Sequence, residues 1–254
     1  MISHTKAFLT LKEQNQTLFD FSVLCCQSVP ALKGYMKAVE AKATPKLPDA
    51  DHFKGAPNFT QLRGFVSAYK KTLGRLVFLS SFTYFEAYFK ALIEEVLAFH
   101  GGQDAFVSAS MKRQSAHLSA CDLPDVAKSA GKLREYKKGH LAPSYKKHIK
   151  ALESTEFRFP SELFATFGVV ELANYKELKA SQIPHVAKWC FGVPLSPNEE
   201  TEFSKYRDER NDIAHGNIVA VDFSAGLEAS RFLRDLSVKI DKHVVKHFLV
   251  IEQA

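Results

Sequence analysis

What this chain lacks narrows its chemistry before any residue is placed. It has no G-x-x-x-x-G-K-[ST] phosphate loop. "KSAGK" at 128–132 lacks both the upstream glycine and the following hydroxyl such a loop needs. Nor is there a G-x-G-x-x-G for a dinucleotide, a G-x-S-x-G elbow for a serine nucleophile, or an H-E-x-x-H for zinc. No cofactor is therefore expected. Cysteine is scarce: Cys25, Cys26, Cys121 and Cys190 form no C-x-x-C pair, and the adjacent two are poorly placed to bridge. Free, inert thiols in a reducing compartment follow, with nothing beside Cys25 or Cys121 to make either a nucleophile. The opening "MISHTKAFLTLKEQNQ" lacks a signal peptide's apolar core and cleavage site, so a cytoplasmic protein is expected. Period-two alternation between hairpin turns is missing too, as are internal repeats and low-complexity tracts.

What is present is material for a helical core. The 254 residues are 46% hydrophobic and include 21 Phe and 8 Tyr, which argues against extended disorder. Lys and Arg number 34 against 28 acidic residues, a net +6 that modestly favours an anionic partner such as nucleic acid. The most apolar stretch, "LVFLSSFTYFEAYFKALIEEVL" at 76–97, carries Glu86, Lys90, Glu94 and Glu95. Charges there are costly at a bilayer centre, so a buried helix is expected and not a membrane span.

Helical spacing recurs along the chain. One helix is predicted over 4–27, with Phe8, Leu11, Leu18, Phe21 and Leu24–Cys25 as its inner stripe, and a shorter one from Pro30 to Lys42. Three prolines and a glycine make 43–59 a loop. The longest periodic segment runs from Thr60 to Phe99, with Leu62, Phe65/Val66, Tyr69, Leu73 and Leu76/Val77 on one face and Gly74 or Ser80–Ser81 as possible kinks; "HGGQ" stops it. Further helices are predicted over 161–180 and 184–192. Ser196, Pro197 and Glu199 then form a capping box that opens another. A last helix follows Ser224 with Leu227, Phe232, Leu236, Ile240, Val244 and Phe248 inward. The chain reads as all-α, a single domain over 1–254 with 104–160 as a polar, basic insertion or subregion.

Within that insertion, "KLREYKKGHLAPSYKKHIK" (132–150) sets seven basic residues against one Glu. Lys132, Arg134, Lys137, Lys138, Lys146 and Lys147 suit a phosphate backbone, and Tyr136 and Tyr145 suit stacking on bases; a solvated helix surface is the simpler explanation of such a run. His243 and His247, one helical turn apart, have no further ligand to complete a metal site, so no metal is expected.

The stretch "YRDERNDIAHGN" (206–217) stands apart. On a helix Asn211 and His215 are i,i+4 neighbours, and Arg210 can reach the same space. Tyr206, Asp208 and Glu209 read as surface, Ile213 and Ala214 as the seat against the core, and Gly216 as the stop. A histidine can pass a proton near neutrality, and an arginine can clamp a phosphate with two hydrogen bonds. Together they suit metal-free cleavage of a phosphodiester by the adjacent 2′-hydroxyl of RNA.

"RNDIAHG" (210–216) resembles the R-N-x-x-A-H signature of the HEPN superfamily, and "LSSFTYFEAYFKALIEEVL" (79–97) resembles the long aromatic helix preceding that motif. These stretches resemble the ribonuclease-like and abortive-infection branches, including the RiboL-PSP-HEPN type. The resemblance implies a helical bundle with long antiparallel helices. It also implies a homodimer whose two motifs share a cleft, acting as an endoribonuclease of toxin or phage-defence type. Arg210 and His215 would be catalytic, Asn211 would sit beside the phosphate, and Glu86 would support them. RNA is the implied substrate, and an antitoxin or defence protein a possible partner. The alternative within the same resemblance is a catalytically inactive module that binds nucleotide, RNA or protein.

Overall fold

The computed structural model describes residues 2–47, 58–109, 112, 128, 175–217 and 221–250. Among them four long helices dominate: α1 (Lys6–Glu40), α2 (Phe59–Phe99), α3 (Pro197–Ala214) and α4 (Phe223–His247). Short helical turns occupy Tyr175–Glu177, Ala180–Gln182 and Ile183–His185, and a π-helical turn spans Val186–Cys190. No strand occurs among the described residues. The fold class is all-α, as the missing period-two pattern implies. Most of the 104–160 region and the predicted helix at 161–180 lie outside the described residues, as does Cys121.

The chain divides into two compact units, each assembled from separate stretches. The first takes residues 1–11, 85–208 and 234–254; the second takes 12–84 and 209–233. All four long helices contribute residues to both.

In the first unit the charges within the apolar stretch have work to do. The Glu95 carboxylate accepts hydrogen bonds from the backbone N–H groups of Lys6 (2.9 Å) and Ala7 (3.0 Å), two of the donors that the start of α1 would leave unsatisfied. Thr5 caps the same end: its hydroxyl accepts from the Phe8 N–H and donates to the fully buried Asp241 at 2.6 Å. Around these bonds Phe85, Phe89, Leu92, Ile93 and Val96 of α2 pack with Phe191, Phe203, Ile240, Val244 and Phe248. The capping box opens α3 as the sequence indicates. The Ser196 N–H donates to Glu199 at 2.7 Å and the Glu199 N–H to Ser196 Oγ at 3.2 Å, while Lys239 of α4 bonds the same carboxylate at 2.8 Å.

In the second unit α1 and α2 run antiparallel, since Glu40 at the end of α1 pairs with Arg63 near the start of α2. α2 and α4 run parallel and approach closely. Ser81 and Ser230, both buried, are hydrogen-bonded at 2.9 Å. A Cβ on Gly74 would collide with the backbone of Asp222 and Phe223, and one on Gly226 would lie 2.5 Å from the Gly74 carbonyl oxygen. Gly74 thus serves backbone-to-backbone contact. Asp222 starts α4, its carboxylate accepting from the Ala225 N–H at 2.9 Å.

Two readings of the N-terminal half need correction. The helices expected over 4–27 and from Pro30 are one, because Pro30 lies inside α1 on an exposed face, where water can satisfy the carbonyl a turn earlier. Phe21, Leu24 and Phe65, read as inward, are exposed. The buried side of α1 instead follows Leu11, Leu18, Ser22 and Met36, about a quarter-turn away from Phe21.

α2 is long and apolar enough to cross a membrane, with a mean hydropathy of 1.3 over its most apolar 18-residue window. Half of that window is buried inside the protein, as a core helix requires.

Candidate functional site

The 206–217 stretch forms the last turns of α3, a helix with low overall hydrophobicity. What seats it is a narrow stripe, Phe203, Tyr206, Arg210 and Ile213, at spacings of three and four. Phe203 and Tyr206 are buried; Arg210 and Ile213 are half-buried. Tyr206 is therefore not the surface residue its sequence setting suggests, and its hydroxyl donates to Glu202 at 3.2 Å. Ala214, read as part of the seat, is exposed.

Arg210 is held by its position on that stripe. Its guanidinium carbon lies 5.8 Å from the centroid of the Phe82 ring, a completely buried aromatic of α2, within cation–π range. Its Nη1 donates to Asn211 Oδ1 at 3.0 Å. The neighbours thus form one hydrogen-bonded pair, with the amide oxygen of Asn211 turned to the guanidinium. No signal local to 206–217 points to Phe82; only its place in the aromatic helix could have suggested it.

His215 caps the C-terminus of α3. Its N–H donates to the Asn211 carbonyl at 2.9 Å, closing the last turn. Gly216, with φ +82°, and Asn217 send their N–H groups back to Ile213 (3.1 Å) and Asp212 (2.9 Å). This pair of bonds needs a left-handed residue after the cap, which is why glycine follows the histidine. The Asn217 side chain ties to Asp212 at 3.0 Å. The imidazole of His215 is exposed. A clamped arginine and an accessible imidazole thus stand within about one and a half turns of one helix.

Arg210, Asn211 and His215 belong to the second unit, and Glu86, half-buried on α2, to the first. Lys132, Arg134, Lys137, Lys138, Lys146 and Lys147 lie outside the described residues.

Other candidates fare less well. Among the described residues no group of three His, Cys, Asp or Glu side chains is placed to hold a metal ion. The His243 and His247 rings stack with centroids 4.5 Å apart, and His243 Nε2 is 2.7 Å from the Phe191 carbonyl oxygen, donating to it. Burial, the neighbouring His247 and Lys246 push the pKa of His243 down to about 4 against the pull of that carbonyl, so the ring is neutral at pH 7. Burial and the adjacent Cys26 push the Cys25 thiol up, opposite to what a nucleophile needs.

The all-α fold, with Arg210, Asn211 and His215 in the last turns of a capped helix, is consistent with a HEPN-type protein. The RiboL-PSP-HEPN family matches residues 58–246, nearly three quarters of the chain, and this protein belongs to it. No curated protein and no solved structure matches it.

Proposed function

We propose that this protein is a metal-independent endoribonuclease that cleaves RNA by attack of the 2′-hydroxyl on the adjacent phosphorus. HEPN domains are often ribonucleases, and the family assignment supports that class. The observation that carries the reading is Arg210, laid against Phe82 and bonded to Asn211, about one and a half turns before the exposed His215.

In this mechanism the guanidinium holds the scissile phosphate and stabilises the charge that grows on its oxygens. His215 takes the proton from the 2′-hydroxyl as the O2′–P bond forms. The P–O5′ bond breaks, and the departing 5′-oxygen is protonated by a second copy of the motif across a homodimer. The products are a 2′,3′-cyclic phosphate and a 5′-hydroxyl. Arginine provides the positive charge here, so no metal is required. The exposed Phe21, Leu24, Tyr35 and Phe65 of the second unit support a protein-covered surface such as a dimer needs. Toxin or phage-defence action in the cytoplasm, restrained by an antitoxin or defence partner, completes the reading.

The test compares wild type with His215→Ala, Arg210→Ala and Arg210→Lys on total RNA in EDTA. His215→Ala is expected to cut about 10²–10⁴-fold more slowly, and Arg210→Ala about 10²–10³-fold more slowly. Arg210→Lys should recover only part of that loss, because a point charge cannot bond two oxygens at once. Wild type that leaves RNA intact, or variants that cut equally well, would overturn the mechanism; RNA bound but uncut would point to the inactive binding module.

A further inference from the structure

The second unit holds a basic cavity that the motif does not use. It measures about 260 Å³ and lies between α1 and α2, lined by Lys33, Met36, Lys37, Glu40, Arg63, Val66 and Ser67. Met36 is buried and makes an apolar floor with the half-buried Val66. Three cations and one carboxylate face it. Glu40 is paired with Arg63, whereas Lys33 and Lys37, one turn apart on α1 and exposed, have no acidic partner among the described residues. Residues 28–75 carry nine Lys/Arg against three acidic residues, a net +6 equal to the excess of the whole chain. A concentration of that kind is the footprint of a polyanion.

The cavity also connects with the motif along α2. Residues spaced by four form a ridge on a helix, and Arg63, Ser67, Lys71 and Arg75 follow one such ridge to Leu79, beside Phe82. Phe82 is the ring under Arg210. From Ser67 to Phe82 is about 22 Å along the axis and from Arg63 about 28 Å, at about 1.5 Å per residue. A stacked single strand spans that distance with about seven or eight nucleotides, at about 3.4 Å each.

We infer that this cavity is a second phosphate-binding site for the RNA strand cut at Arg210 and His215. The strand's backbone follows the Arg63–Ser67–Lys71–Arg75 ridge from one site to the other. The inference rests on the ribonuclease reading for its substrate class. It makes RNA length a determinant of affinity, because a strand shorter than about seven nucleotides cannot occupy both sites.

The experiment measures binding of fluorescein-labelled single-stranded RNA of four and sixteen nucleotides in EDTA. The His215→Ala protein is used, so that the strands stay intact, alone and combined with Lys33→Gln/Lys37→Gln. Loss of two phosphate contacts is expected to weaken the 16-mer about tenfold and to lower its log Kd against log salt slope by about 1.4, while the 4-mer changes less than twofold. A control, Lys12→Gln/Lys242→Gln, removes two exposed cations elsewhere and should leave the length dependence intact. Equal effects on both lengths, or none, would overturn the proposal. So would displacement of the 16-mer by low-millimolar inorganic phosphate at matched ionic strength, which would make the cavity a small-anion site.

The two readings fail separately. If the protein with His215 intact cuts no RNA while the 16-mer still depends on Lys33 and Lys37, the nuclease reading falls and the site stands. If it cuts RNA and the lysine pair changes nothing, the site falls and the nuclease reading stands.

Discussion

At the scale of single residues, Arg210 shows how a helix places a charge where it is useful. It takes a position on the buried stripe of α3 that a hydrophobic residue would normally fill, and the Phe82 ring and Asn211 hold its head group. His215 is placed by the opposite logic, at the exposed cap where the helix stops. His243 illustrates a third situation, an imidazole kept neutral by its surroundings. Its folded-state pKa, about 4, lies below the ordinary 6.5, so the unfolded chain binds the extra proton as the pH falls. Its contribution to stability is complete above pH 6.5 and is lost between pH 6.5 and about 4, on the order of 2 kcal/mol given its partial exposure. Urea unfolding midpoints should fall over that range, most tellingly from pH 6.5 to 5, where few carboxylates titrate. In His243→Gln this fall should flatten; an unchanged slope would remove His243 as its cause.

At the scale of elements, the α2–α4 approach leaves no room for a side chain at Gly74 or Gly226. Gly74→Ala sets a methyl group against the backbone at the start of α4, and backbone cannot move aside as a flexible side chain can. A cost of about 1–3 kcal/mol, the usual range for overpacking, is expected in thermal unfolding. Gly34→Ala, where nothing lies within 4 Å of the added Cβ, should instead stabilise α1 by about 0.5–1 kcal/mol. If both substitutions behave alike, helix propensity and not the close approach explains Gly74. The elements also show what a linear pattern conveys. The capping box at 196–199, the glycine stops after α2 and α3 and the long periodicity of α2 were legible, because each rests on residues within a turn or two of one another. The exposed Phe21, Leu24 and Phe65 were not, because adjacent apolar positions on a helix can belong to two different faces.

At the scale of the molecule, the exposed apolar residues bear on the proposed homodimer. Leu24 is 60% exposed and Phe65 64%, both in the second unit with the motif. Leu24→Asp/Phe65→Asp should shift a micromolar sample toward monomer in sedimentation velocity and slow RNA cleavage in step. A protein already monomeric at that concentration would overturn the shared cleft. Charge organises the same unit, since residues 28–75 match the net positive excess of the whole chain.

The sequence by itself determined the helical class, the caps and stops of the helices, and the order Arg210, Asn211, His215. All of these depend on backbone propensity and on residues near one another in the chain. Only the tertiary structure decided that Phe82, 128 positions before Arg210, lies under its guanidinium. It alone decided that Glu95 caps a helix begun about 90 residues earlier, and that Lys33, Lys37 and Arg63 face one cavity. Those pairings join separate helices, and their register follows from how whole buried faces interlock, which no local run of residues encodes.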